Sequence, residues 1–212
     1  MEKDIMKTGT TTIGLVCKDG LVLAADRRAT AGFFIAAKKI EKIIKITDDI
    51  AVTVAGTVSD IQLLAKLIKA ELKLKEIRTG KINTVKEAAN LLAGIVYSNI
   101  RKFSWIPGIS HFIVGGKDMS GFHVYDLSPD GSITDVDDFV SSGSGSPMVY
   151  GVLESQYKKD ITVKDGVKLA VKGINAAMQR DAASGEGIDV ITITEKGVEK
   201  AFSKEIKIDF EA

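Results

Sequence analysis

The spacing of apolar residues switches repeatedly between two periods along this chain, and the order of the switches constrains the fold more than any other feature. Residues 11–17 and 21–25 read as two strands, and Lys18-Asp19-Gly20 between them carries the Asp-Gly pair of a tight hairpin turn. Residues 42–46 and 50–55 form a second pair around Thr47-Asp48-Asp49. The period then becomes helical, with Ile61, Leu64, Ala65, Ile68 and Leu72 falling on one face. Ser59-Asp60-Ile61-Gln62 has the Ser-x-x-Gln form of a capping box that opens this helix. Thr84-Val85-Lys86-Glu87 is another, ahead of Leu91, Leu92, Ile95 and Val96. Strands return at 111–115 and 122–127, with shorter ones up to about 141. Two more helices are expected at 147–157 and 163–183, the second behind Thr162, before a last hairpin of 189–194 and 198–202 around Glu195-Lys196-Gly197.

Hairpin-linked strands make antiparallel sheets, and a pair of helices needs a sheet face to cover. The order therefore predicts an α+β chain, a four-layer αββα sandwich of two antiparallel sheets between helical layers. With 212 residues, 3 prolines and no low-complexity stretch, it reads as one domain.

Composition removes several classes of function. The 29 basic and 28 acidic residues nearly cancel to +1, which takes away the main electrostatic reason to expect nucleic acid or a membrane surface. Such a balance is common in subunits that bury surface against neighbours. No run approaches the ~18 apolar residues of a membrane span. Met-Glu-Lys-Asp-Ile-Met-Lys-Thr-Gly at the start has no apolar core, so no secretory signal is read there and a cytoplasmic location is expected. Cys17 is the sole cysteine, excluding an internal disulfide and a thiolate metal cluster, and it reads as a small apolar strand residue.

Nucleophilic mechanisms that need histidine have only His111 and His123 to draw on, both inside predicted strands and flanked by Phe112, Phe122 and Val124. They read as packed strand residues. Gly143-Ser144-Gly145-Ser146-Pro147 precedes a helix but lacks the Lys-Ser/Thr pair of a phosphate loop and the third glycine of a dinucleotide fingerprint. No His-x-x-x-His or Cys/His cluster suggests a metal, and no cofactor is expected.

The start of the first strand offers another chemistry. Cleavage after Gly9 would make Thr10 a terminal residue that carries both nucleophile and base. Its hydroxyl attacks, and its α-amine, with a reference pKa of about 7.7–8.0, takes the proton. Taken alone, Gly9-Thr10-Thr11-Thr12 is also an ordinary β-prone strand start.

Several segments occur together in a fixed order: Gly9-Thr10-Thr11-Thr12-Ile13-Gly14, Ala24-Ala25-Asp26-Arg27-Arg28, Ala55-Gly56, Gly143-Ser144-Gly145-Ser146-Pro147, and Arg180-Asp181-Ala182-Ala183-Ser184-Gly185. With residues 149–157, Val-Tyr-Gly-Val-Leu-Glu-Ser-Gln-Tyr, they resemble the catalytic β-type subunit of a 20S proteasome, most closely the archaeal form. The likeness runs from about Gly9 to Asp189. It implies the N-terminal-nucleophile hydrolase fold, which is the sandwich already read from the element order. It also implies a propeptide of residues 1–9 removed by self-cleavage between Gly9 and Thr10, and a catalytic domain of residues 10–212.

The resemblance further implies roles. Thr10 is the nucleophile, Lys42 the active-site lysine, and Asp26 the carboxylate that holds it. Gly56 supplies an oxyanion N–H, while Ser144, Asp181 and Ser184 surround the terminal amine. Ala29, Thr30, Ile40, Ile44, Val54 and Val58 fall where the pocket for the residue before the cut bond is expected, so a hydrophobic preference is implied. Phe33 departs from the small polar residue that related chains often carry. Implied partners are further β-type copies in a ring, α-type subunits, an ATP-dependent unfoldase and unfolded polypeptide. A non-catalytic, ring-building β-type subunit is the other reading, and the simpler bacterial peptidase of the same fold a third.

Overall fold

Strand alternation sorts side chains into three buried layers in the computed structural model, which describes residues 9–105 and 108–206. The elements are β1 (Thr12–Cys17), β2 (Gly20–Asp26), β3 (Ala29–Ala31), β4 (Phe34–Ala37), β5 (Ile43–Lys45), β6 (Ile50–Gly56), α1 (Val58–Thr79) and α2 (Val85–Ile100). They continue as β7 (Ser110–Asp118), β8 (Gly121–Leu127), β9 (Ile133–Val136), β10 (Phe139–Ser142), α3 (Ser146–Gln156), α4 (Val163–Met178), β11 (Gly187–Thr194) and β12 (Gly197–Glu205).

One five-stranded sheet runs β10-β1-β2-β11-β12 and the other β5-β6-β7-β8-β9, with antiparallel neighbours throughout. In the first sheet, Ile13, Leu15, Val22, Ala24 and Val190 face Val149, Leu153, Leu169 and Ile174 of α3 and α4. Their alternates Leu21, Leu23 and Ala25 meet Ile43, Ala51, Ile113 and Val124 of the second sheet. The outer face of that sheet, with Val52, Phe112 and Val114, is covered by Ile61, Leu64, Ile68, Leu92 and Val96 of α1 and α2. The central strands β1, β2, β6 and β7 thus bury both faces, which gives the predicted α+β sandwich of αββα layers.

Several local expectations change. The helix α1 takes its N-cap from Thr57, without a side-chain cap, and Ser59 lies within its first turn. The start is set by tertiary structure: β6 ends at Gly56, the Thr57 N–H donates to Ile109 O (2.9 Å), and the Ile61 N–H closes the first helical bond onto Thr57 O (3.1 Å). The Thr84–Glu87 capping box forms as read. Helix α4 stops at Met178, short of residue 183, because the chain turns there and the Asp181 N–H donates back to Ala177 O (2.7 Å). The β3–β4 hairpin was not expected. Both histidines lie half-buried in strands, His111 2.6 Å from Asp126 Oδ1 and His123 beside Ser120. The predicted propeptide falls, except for Gly9, outside the described residues.

Candidate active site

Thr10 and Thr11 precede β1 and are held against the end of β2. The backbone of Thr11 exchanges hydrogen bonds with Asp26, whose N–H donates to Thr11 O (3.1 Å) while Asp26 Oδ1 accepts from the Thr11 N–H (2.9 Å). The same oxygen accepts from Lys42 Nζ at 2.7 Å. Oδ2 accepts from the N–H groups of Arg28 and Gly185, each at 3.0 Å. Both ion-pair side chains are buried, 4% exposed for Lys42 and 0% for Asp26. Burial pushes the Lys42 ammonium below the usual lysine range, against the opposing pull of Asp26 and, more weakly, Asp181.

Thr10 is 6% exposed, and its Oγ1 lies 2.7 Å from the carbonyl oxygen of Gly9. Its N–H donates to Ser144 Oγ at 3.3 Å. Ser144 Oγ in turn donates to Asp181 Oδ2 (2.7 Å), which also accepts from Ser184 Oγ (2.6 Å). With its proton committed to the carboxylate, Ser184 Oγ receives the Thr11 hydroxyl at 2.6 Å. A continuous polar chain therefore links Thr10, Ser144, Asp181, Ser184 and Thr11. These groups come from the start of β1, the turn before α3 and the turn between α4 and β11.

Gly9 fits where no larger residue does. A β-carbon placed on it would stand 1.7 Å from the Cβ of Ala183 and 3.0 Å from Ser144 Oγ. Its N–H donates to Thr30 Oγ1 at 3.0 Å, so the peptide joining Gly9 to Thr10 is gripped on both sides.

The other residues singled out in the sequence spread around this centre. Gly56 closes β6 opposite Ser110 with φ 131°, and a β-carbon there would meet Ile109 O at 2.1 Å, so glycine is required. Ala29 opens β3, and Ile40 donates its N–H to Arg27 O (3.0 Å). Val58 begins α1 and is 36% exposed. Val54 and Ile44 pack into the layer beneath α1 and α2. Sequence reasoning missed Thr11, whose neighbours in the Thr-Thr-Thr run mask it, and the backbone donor Gly185, although it ends a quoted motif. It also missed the steric role of Ala183. Among the described residues there is no group of three or more His, Cys, Asp or Glu placed to hold a metal ion, and no helix long and apolar enough to cross a membrane.

Residues 6–193 match the family described as proteasome subunit. The chain is 49% identical over 207 residues to the proteasome subunit beta of Ferroglobus placidus, covering 98% of this chain and 97% of that protein. It is 48% identical to the protein of the same name from Archaeoglobus profundus (96% and 93% covered), and 43% to that of Methanocaldococcus fervens (96% and 89%). With a family match across most of its length and relatives this similar end to end, the chain belongs to the proteasome subunit family, as a β-type subunit.

Proposed function

We propose that this chain is a threonine-type endopeptidase subunit of a proteasome core particle, unmasked by its own cleavage after Gly9. The observation that carries the reading is the approach of Thr10 Oγ1 to the Gly9 carbonyl, 2.7 Å from its oxygen, beside a buried Lys42–Asp26 pair.

In self-cleavage, Thr10 Oγ adds to the Gly9 carbonyl carbon, its proton passes to the Thr10 nitrogen, and the C–N bond to Thr10 breaks. The nitrogen leaves as an amine, and water hydrolyses the Gly9–Oγ ester, returning the hydroxyl. In turnover the freed α-amine takes the Oγ proton, Oγ attacks the substrate carbonyl, and the ammonium passes the proton to the leaving amine. Water then hydrolyses the acyl-enzyme. Lys42 stabilises the developing alkoxide by its charge, Asp26 holds Lys42, and the Gly56 N–H serves the oxyanion. Ser144, Asp181 and Ser184 orient the amine.

Ala29, Thr30, Ile40, Ile44, Val54 and Val58 form the pocket before the cut bond, which favours hydrophobic side chains. The particle works in the cytoplasm as a ring of such copies with α-type subunits, and an ATP-dependent unfoldase feeds it unfolded polypeptide.

The test co-produces the chain with α-type subunits and compares the intact mass in assembled particles with that of Thr10→Ala. Loss of residues 1–9 from the wild type alone is expected. If both chains retain them, Thr10 is no nucleophile and the chain is a ring-building subunit instead.

A further inference from the structure

Glu186 is the one described residue other than glycine with a positive φ, 65°, in the left-handed region. It stands between Gly185 and Gly187, and a glycine at 186 would hold the same backbone without strain. Its carboxylate lies 3.0 Å from Arg28 Nη2, with the side chains 16% and 22% exposed.

Arg28 is anchored at both ends of one turn. Its Nη1 donates to Ala182 O at 2.8 Å, while Nη2 meets Glu186 Oε1. Gly185 lies directly under the guanidinium, where a β-carbon would come within 2.5 Å of Cζ. The planar fork therefore straddles residues 182–186 and clamps them down. This stretch holds Ala183 against Gly9, Ser184 against Thr11 and Asp181, and the Gly185 N–H against Asp26. The backbone N–H of Arg28 donates to Asp26 as well, so the clamp closes onto the carboxylate that holds Lys42.

We propose that Glu186 is a positioning residue, which through Arg28 fixes residues 181–185 in register with Thr10 and Asp26. Strain at a single residue persists where the surroundings over-determine it, and here it aims the carboxylate at the guanidinium. The proposal rests on the peptidase reading for its catalytic consequence, and on geometry alone for the clamp.

Two measurements on Glu186→Gly test it. In assembled particles, kcat for a short fluorogenic peptide should fall by about ten-fold or more, the range for a lost supporting contact, with KM little changed. In a Thr10→Ala background, the Gly185 amide should exchange with deuterium at least about ten-fold faster, the opening of a contact once protected. Glu186→Gln, which keeps the acceptor oxygen, should restore most of both. Glycine removes the φ strain, so a merely structural Glu186 predicts an unchanged kcat and a protected Gly185, and that result overturns the proposal. Wild-type particles without turnover would instead sink the peptidase reading, and the exchange at Gly185 would still decide the clamp.

Discussion

Replacing Gly9 by alanine tests the site at its tightest point. The added β-carbon would lie 1.7 Å from Ala183 Cβ, whereas carbon atoms rest at about 3.5–4.0 Å. One of the two segments must therefore move by roughly 2 Å. Gly9 is fixed through its N–H by Thr30, and the turn bearing Ala183 is fixed by Asp26 and Arg28, so the peptide after Gly9 takes up much of the shift. A displacement of about 1 Å is enough to cost on the order of 100-fold in a reaction that depends on alignment. Conversion of the Gly9→Ala precursor should thus slow by at least about 100-fold, read by intact mass over time after assembly. Ala183→Gly removes the facing methyl and leaves its nearest atoms, Ala183 Cα and Ser144 Oγ, at 3.0 Å. The Gly9→Ala/Ala183→Gly double variant should recover part of the lost rate. A Gly9→Ala precursor that matures at the wild-type rate would refute the steric reasoning, and so would a double variant no faster than the single one.

Other parts of the structure make separate predictions. Lys42→Met leaves the buried Asp26 carboxylate with backbone donors only, and about 3 kcal/mol of stability should go. For a chain of this size that is roughly 6–12 °C in the midpoint of thermal unfolding of the isolated subunit. Burial pushes the Cys17 thiol from 9.0 up to about 12, so the folded protein keeps a proton that the unfolded chain releases. Because this folded pKa is raised, the contribution is whole below pH 9.0 and is lost as pH rises towards 12. Relative to Cys17→Ala, the wild type should lose up to about 1.4 kcal/mol per pH unit across that window in denaturant titrations. Thr84→Ala removes the hydroxyl that accepts from the Glu87 N–H (3.2 Å), one half of the α2 capping box, and should cost about 1 kcal/mol by the same assay, and no loss would mean the cap is solvated in solution.

The layers were readable because each depends on local period. Hairpin turns marked by Asp-Gly or Lys-Gly, and helices opened by Thr84 or Thr162, form as the pattern says. The exceptions are governed by distant partners. Ser59 has the chemistry of a cap, but the end of β6 had already set where α1 begins. Residues 179–183 read as more helix, yet the chain breaks away so that Asp181 reaches Ser144. The β3–β4 hairpin has short, half-exposed strands, β4 is apolar throughout and Phe33 at the tip is fully exposed, so no polar–apolar period announces it. At the site, the motif residues Thr10, Asp26, Lys42, Ser144, Asp181 and Ser184 do come together. The links between them through Thr11, Gly185 and Arg28 depend on pairings that no local rule encodes.

The polar chain at Thr10 also sets a clock. Its contacts span 134 residues to Ser144, 173 from Thr11 to Ser184 and 159 from Asp26 to Gly185. At about 5–20 residues per second of synthesis, Ser184 follows Thr11 by roughly 9–35 s. Through most of that interval Asp26 and Lys42 are already made, whereas Ser144, Asp181 and Ser184, the other polar neighbours of Thr10 and Thr11, are not. The strands β1 and β2 likewise wait for β10 and β11, which flank them in the finished sheet. Of the turns that meet at Thr10, the one between α4 and β11 is synthesised last, and it closes the polar chain.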